Sequence, residues 1–244
     1  MFRSIIAGLA LAASLAGCTT SGSTMDILPR EARPASAPFA SGDWCTVEGE
    51  AAPFTVRSQS DACLHLEWRR GRRFYAASGK DPDSEQRASM EIAFATLQPG
   101  VLLAQADRST MRMIPETDED REQRESMPPF SHMVFMAQGE AIAGVPFDVT
   151  KETFDAIVAR HPAIHVEGEG TNRIVTAGAP DNVMDYLRDL TAASLKPEPS
   201  SLTLYVRDRR RADHPVSASQ QRDIDALMAR YRSLPRPPRQ EPAK

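Results

Sequence analysis

The chain has 244 residues, 41% of them hydrophobic and 25% charged, with 29 Lys and Arg against 33 Asp and Glu for a net charge of −4. Its only unbroken apolar run is short and N-terminal, which excludes a polytopic membrane protein. Three cysteines are too few for a disulfide scaffold, and the mild acidity excludes a dedicated nucleic-acid binder.

The first segment reads as an export leader. Arg3 supplies a positive start, and the eleven residues from Ile5 to Leu15 are mainly apolar. A bilayer-spanning helix needs about 20 such residues, so this run fits a cleavable signal over residues 1–17. It ends in Leu15-Ala16-Gly17-Cys18. This tetrapeptide resembles the lipobox of bacterial lipoprotein precursors. The resemblance implies diacylglyceryl transfer to the Cys18 sulfur, cleavage before Cys18 and acylation of the new amino group. It also implies a membrane partner, reached through the lipid anchor at Cys18. Lipoproteins kept in the inner membrane often carry Asp after the lipidated cysteine. Thr19 stands there in this chain, which favours the outer membrane, with the body in the periplasm. Several acyl chains anchor stably where one is marginal.

Residues 18–41 read as the lipidated cysteine and a disordered tether. Thr19 to Thr24 are small and polar, and Pro29, Pro34 and Pro38 follow among alanines. Little apolar surface is present to offset the ordering entropy. Cys45 and Cys63 remain after Cys18 is acylated. In an oxidising compartment they are a disulfide candidate, closing a loop of about 19 residues at roughly 3 kcal/mol.

From 42 to 149 the pattern alternates with period two. Leu64, Leu66 and Trp68 share one face of a strand, and Met90, Ile92 and Phe94 share another. Turn signals at Gly71, Pro99-Gly100 and Gly139 join neighbouring runs. Strands are predicted over 43–48, 54–58, 62–69, 72–78, 88–97, 101–107, 132–138 and 141–147. The fold class expected is therefore α+β: mainly an antiparallel β meander of about eight strands, barrel or sandwich, followed by two or three helices with a short hairpin. Gly42-Asp43-Trp44 faintly resembles the G-x-W of lipocalins, which are eight-stranded meander barrels, although the later lipocalin signature is missing.

Residues 150–207 form an α/β part expected to pack on the meander. Thr150 caps a helix with Phe154, Ile157 and Val158 on one face, which stops before Pro162. A hairpin about Gly168-Glu169-Gly170 follows. Pro180 opens a second helix, and Leu202, Leu204 and Val206 alternate as a late strand. Residues 208–244 read as an amphipathic helix, opened by the capping box Ser217 to Gln220, and a basic Pro-rich tail. From 207 onward the chain carries ten Lys or Arg against five acids.

The sequence contains no Walker loop, no G-x-G-x-x-G, no G-x-S-x-G and no H-E-x-x-H, so no catalytic residues, cofactor or metal are assigned. His161 and His165 would share a helix face, but Pro162 separates them. The acidic run 116–122 lacks a calcium loop's glycine and reads as a solvated connection. Arg69, Arg70, Arg72 and Arg73, with Trp68, Phe74 and Tyr75, form a basic, aromatic hairpin end. Export leaves nucleic acid out. These arginines are candidate anion-binding residues for an envelope protein or an anionic envelope polymer. Three functions are compatible with this reading. The first is a non-catalytic accessory or binding lipoprotein of the envelope. The others are a lipocalin-like carrier of a small hydrophobic ligand, which needs a hollow meander, and an envelope hydrolase with scattered site residues.

Overall fold

The structure, a computed structural model, describes residues 21–49, 53–58, 63–80, 86–147, 149–168, 173–195, 202–210 and 212–235. Cys18, the leader and the C-terminal tail lie outside these residues. The class is α+β, as the alternation implied. The strands are β1 (Ser21–Ser23), β2 (Gly42–Glu48), β3 (Thr55–Val56), β4 (Cys63–Arg69), β5 (Phe74–Lys80), β6 (Arg87–Gln98), β7 (Val101–Ile114), β8 (Phe130–Gln138), β9 (Ala141–Val145), β10 (His165–Glu167), β11 (Arg173–Ala177), β12 (Thr203–Asp208) and β13 (His214–Pro215). The helices are α1 (Asp118–Ser126), α2 (Lys151–Arg160), α3 (Pro180–Ser194) and α4 (Ala218–Ser233).

Eight strands form a closed ring of pairings in the order β8-β7-β6-β5-β4-β2-β12-β9, with β9 returning to β8. All these pairings are antiparallel. The meander supplies seven of the strands. The eighth is β12, drawn from the part expected to pack outside, and it bonds β2 on one side and β9 on the other. The run expected at 54–58 is instead the short β3, which lies off the ring and pairs with β2 and β13. β7 is twice the expected length and runs to Ile114. The acidic connection after it holds a helix, α1, started by a capping box between Thr117 and Asp120.

Strand alternation divides the apolar residues into two cores. Trp44, Leu66, Tyr75, Ile92, Phe94 and Phe135 belong to a cluster on the inner face of the ring. Outward-facing Ala93, Ala95, Leu97, Leu103, Met136 and Ala143 join a second cluster beneath α2, α3 and α4. Alanines on the strands let α3 and α4 approach closely. α4 buries Ile224, Leu227 and Tyr231 completely, and its Ser217–Gln220 capping box forms as the sequence predicts. It also clamps two tight turns. Arg230 donates to Ala137 O at 3.1 Å beside Gly100, and Asp223 accepts from Glu140 N–H at 2.8 Å beside Gly139. Both glycines have positive φ, and a Cβ at Gly139 would collide with the Asp223 carboxylate.

The expectation of a tether over residues 18–41 is overturned for the described part, 21–41. β1 is bonded on both sides, antiparallel to β8 and parallel to β11. Beyond it Ile27 and Leu28 are fully buried, and Ile27 N–H donates to Gln105 Oε1 at 3.0 Å. The chain then crosses to the β4–β5 hairpin, where Arg30 donates to Gly71 O at 3.0 Å. Phe39 enters the inner cluster. Its ring stacks on Tyr75 at 4.7 Å and meets Trp44 and Phe94 edge-on at 5.5 and 5.2 Å. The Tyr75 hydroxyl donates to Phe39 O and accepts from Phe39 N–H. A few isolated apolar residues thus order a stretch whose average composition is polar.

Cys45 and Cys63 are joined by a disulfide at directly opposed positions of β2 and β4. They lie on the outer face, so Trp44, which points inward and donates to Ala40 O at 3.2 Å, does not pack beside them.

Phe39→Ala is expected to lower the unfolding free energy by about 3–4 kcal/mol, as for other buried aromatics. Urea unfolding of the mature body checks this; a residue in a free tether would leave the midpoint unmoved. Replacing both Cys45 and Cys63 by Ala is expected to cost about 3 kcal/mol in the same assay, from the length of the loop released.

Candidate functional site

The helices cover only part of the ring's outside. Beyond the Cys45–Cys63 bridge, the outer face over β4, β5 and the first half of β6 is mainly polar, with Phe74 among its charges. In an antiparallel ladder directly opposed residues share a face. Asp43 opposes His65, His65 opposes Ser78, Ser78 opposes Ser89, and Ser89 opposes Arg112. One row of polar side chains therefore runs across five strands. At its start His65 Nδ1 and Asp43 Oδ1 are 2.6 Å apart, with both side chains about half exposed. A groove of about 650 Å³ opens over this end, lined by Asp43, Ser58, His65, Ser78, Arg87 and Arg210.

The rim of the groove is held by a second polar set. Asp208 accepts from Ser58 Oγ at 2.6 Å and from Arg210 N–H at 3.2 Å, and it contacts His214 Nε2 at 3.1 Å. Burial opposes ionisation of Asp208, but these hydrogen bonds and the nearby His214 outweigh it. The carboxyl is held below the usual range. Asp213 accepts from Arg57 at 2.6 Å and from Ser58 N–H at 3.1 Å, which ties the β12–β13 loop to the segment after β3.

The four arginines singled out in the sequence do come together at the β4–β5 hairpin, but most already have partners. Arg69 pairs with Glu67 at 2.7 Å, and Arg72 pairs with Glu91 at 3.1 Å while lying over the Phe74 ring. Arg73 has positive φ and donates to Arg33 O at 3.3 Å. Arg70 is exposed and makes no ion pair or hydrogen bond among the described residues. The hairpin gains Arg30, which the sequence reading missed because it lies some forty positions away in what looked like tether. Exposed ion pairs of this kind contribute little, so these guanidinium groups can exchange partners. A shallow groove of about 530 Å³ along the same face is lined by Glu67, Arg69, Arg72, Phe74 and Glu91.

A Ser–His pair lies in the interior. Ser23 and His132 are both fully buried, with Oγ and Nε2 3.2 Å apart. The Ser23 hydroxyl donates to Met25 O at 2.6 Å, so it accepts from Nε2–H and its own proton points away from the imidazole. The pair therefore holds β1 to β8 and does not prepare a nucleophile. His132 Nδ1 has no hydrogen-bond partner among the described residues. Burial pushes the His132 pKa down to about 3, against a small opposing pull from Asp26. Nearby, Arg108 is buried, donates to Ser131 Oγ at 2.6 Å and contacts the Met127 sulfur.

His161 and His165 do not converge. His161 Nε2 faces Asp189 at 3.1 Å, and His165 Nε2 faces Glu167 at 3.4 Å. Among the described residues no group of three or more His, Cys, Asp and Glu side chains could hold a metal. No helix among them is long and apolar enough to cross a membrane. No family model, no curated protein and no solved structure matches this chain.

His132 gives stability a defined pH dependence. Its folded pKa lies below the ordinary 6.5, so between 6.5 and about 3 the unfolded chain binds more protons. Stability from this group is complete above 6.5 and falls on acidification, by up to ~1.4 kcal/mol per pH unit within the window. His132→Gln is expected to be less stable near neutrality and to show a flatter loss between about pH 6 and about pH 4, measured by urea unfolding.

Proposed function

We propose that this chain is a lipoprotein of the bacterial envelope, anchored in the outer membrane through acyl chains on Cys18, with a periplasmic body that binds a partner without catalysis. The leader and the sequence Leu15-Ala16-Gly17-Cys18 support the address. The observation that carries the binding reading is the division of the ring's outer surface. One part is sealed by helices, while the row from Asp43 across His65, Ser78 and Ser89 is polar and grooved. Its charges are mixed, with Asp43, Glu67 and Glu91 beside His65, Arg69, Arg72 and Arg87. Mixed charge suits a folded envelope protein; the arginine hairpin at its end suits an anionic polymer.

Two further observations support this reading over its competitors. The inner face of the ring is occupied by stacked rings of Phe39, Tyr75, Trp44 and Phe94, where a lipocalin-like carrier would need space. The interior Ser23–His132 pair offers a hydrolase no nucleophile, since it is enclosed and the hydroxyl proton is turned away from the imidazole.

In intact cells, a photo-crosslinking residue at Ser78 is expected to capture a discrete envelope partner, and one at Asp225 on α4 is not. Equal capture from both sites would refute the assignment of the face. Cys18→Ser is expected to move the protein from the membrane to the soluble fraction. Persistent tight membrane binding of that variant without acyl chains would refute the anchor.

A further inference from the structure

β1 sets how far the body can stand from a lipid anchor at Cys18. Ser21 is already a paired strand residue, opposed by His132 of β8 and Arg173 of β11. Only Thr19 and Thr20 separate it from Cys18. Three residue steps span at most about 11 Å. A free tether reaching to residue 41 would instead allow up to about 70 Å at ~3 Å per residue.

Slack cannot be drawn cheaply from β1 itself. Gly22 passes so close to Pro128 that a Cβ would meet its ring at 2.6 Å. Ser23 is fully buried against His132, and Thr24 N–H donates to Val175 O at 3.0 Å. Peeling β1 away would strip hydrogen bonds from two neighbouring strands and pull on the buried Ile27 and Leu28.

We infer that acylated Cys18 seats the body directly on the bilayer surface at the start of β1, and so fixes which side of the protein faces the lipid headgroups. The inference rests on the lipid-anchor reading above. The membrane-proximal side includes the first turn of α2. Ser21 opposes Arg173, Arg173 lies 3.4 Å from Asp155, and Asp155 lies 2.5 Å from Lys151. The Asp43–His65 groove lies on the far side. β4 is separated from β8 by three strands in either direction round the ring, β7, β6 and β5 one way and β9, β12 and β2 the other. The polar face is thereby turned away from the anchoring bilayer and toward partners in the periplasm.

The test uses the full mature protein, its acyl chains verified by mass, in vesicles of phosphatidylethanolamine and phosphatidylglycerol carrying a fluorescent acceptor on the headgroups. Cys45 and Cys63 are bonded to each other, so a single added cysteine can be labelled with a donor. A donor at Lys151→Cys is expected to transfer energy to the headgroups strongly, and one at His65→Cys weakly. Inserting about twenty Gly and Ser residues between Thr20 and Ser21 is expected to reduce transfer from Lys151→Cys severalfold, because the added length lifts the body. Equal transfer from both sites, unchanged by the insertion, in protein that carries its acyl chains would overturn the seating alone. Absence of acyl chains from the membrane-derived protein would overturn the anchor and the seating together. Circular dichroism of each labelled variant confirms that the body compared is folded.

Discussion

Closure of the sheet by β12 is the constraint on which the rest of the molecule depends. By bonding β2 and β9 at once, it pairs both edges of the meander and creates a face that water cannot reach. That face must then be filled. Phe39 supplies volume from outside the meander, and its backbone is held by the Tyr75 hydroxyl so that the ring cannot leave the stack. The outer surface follows from the same closure. Where strands carry Ala93, Ala95, Ala141 and Ala143, helices settle close; where they carry Asp43, His65, Glu67 and Ser89, the sheet offers mainly polar side chains.

The sequence showed those parts whose signal is local. Alternation at Leu64–Trp68 and Met90–Phe94, turns at Gly100 and Gly139, and the Ser217 capping box each determine their own neighbourhood. The disulfide was also legible, since the expected acylation of Cys18 leaves Cys45 one partner. What escaped is non-local. Leu204 and Val206 read as a strand, but nothing within them specifies neighbours near residues 45 and 142. Ile27, Leu28 and Phe39 follow no helical or strand period because the segment carrying them is irregular, so averaging over their alanines and prolines gave the impression of disorder. The groove was hidden for a related reason. Asp43 and His65 are 22 positions apart, and only the β2–β4 register brings them into contact. The arginine hairpin was found from its clustering, but its partners Glu67, Glu91 and the Arg33 carbonyl were not.

The polar interior beneath β1 shows how a short strand is made specific. A three-residue strand offers few ladder bonds, and Ser23, Asp26, Gln105 and His132 add directional contacts that a slipped register would leave unmade. Burial keeps His132 neutral within that arrangement.

The eighth strand of the ring arrives late. β12 begins at Thr203, while its partners lie at 43–46 and 141–144. A ribosome releasing this chain from its N-terminus therefore delivers seven ring strands before the one that joins their ends. Until then β2 and β9 remain open edges, and the final closure must bring together parts of the chain made far apart in time.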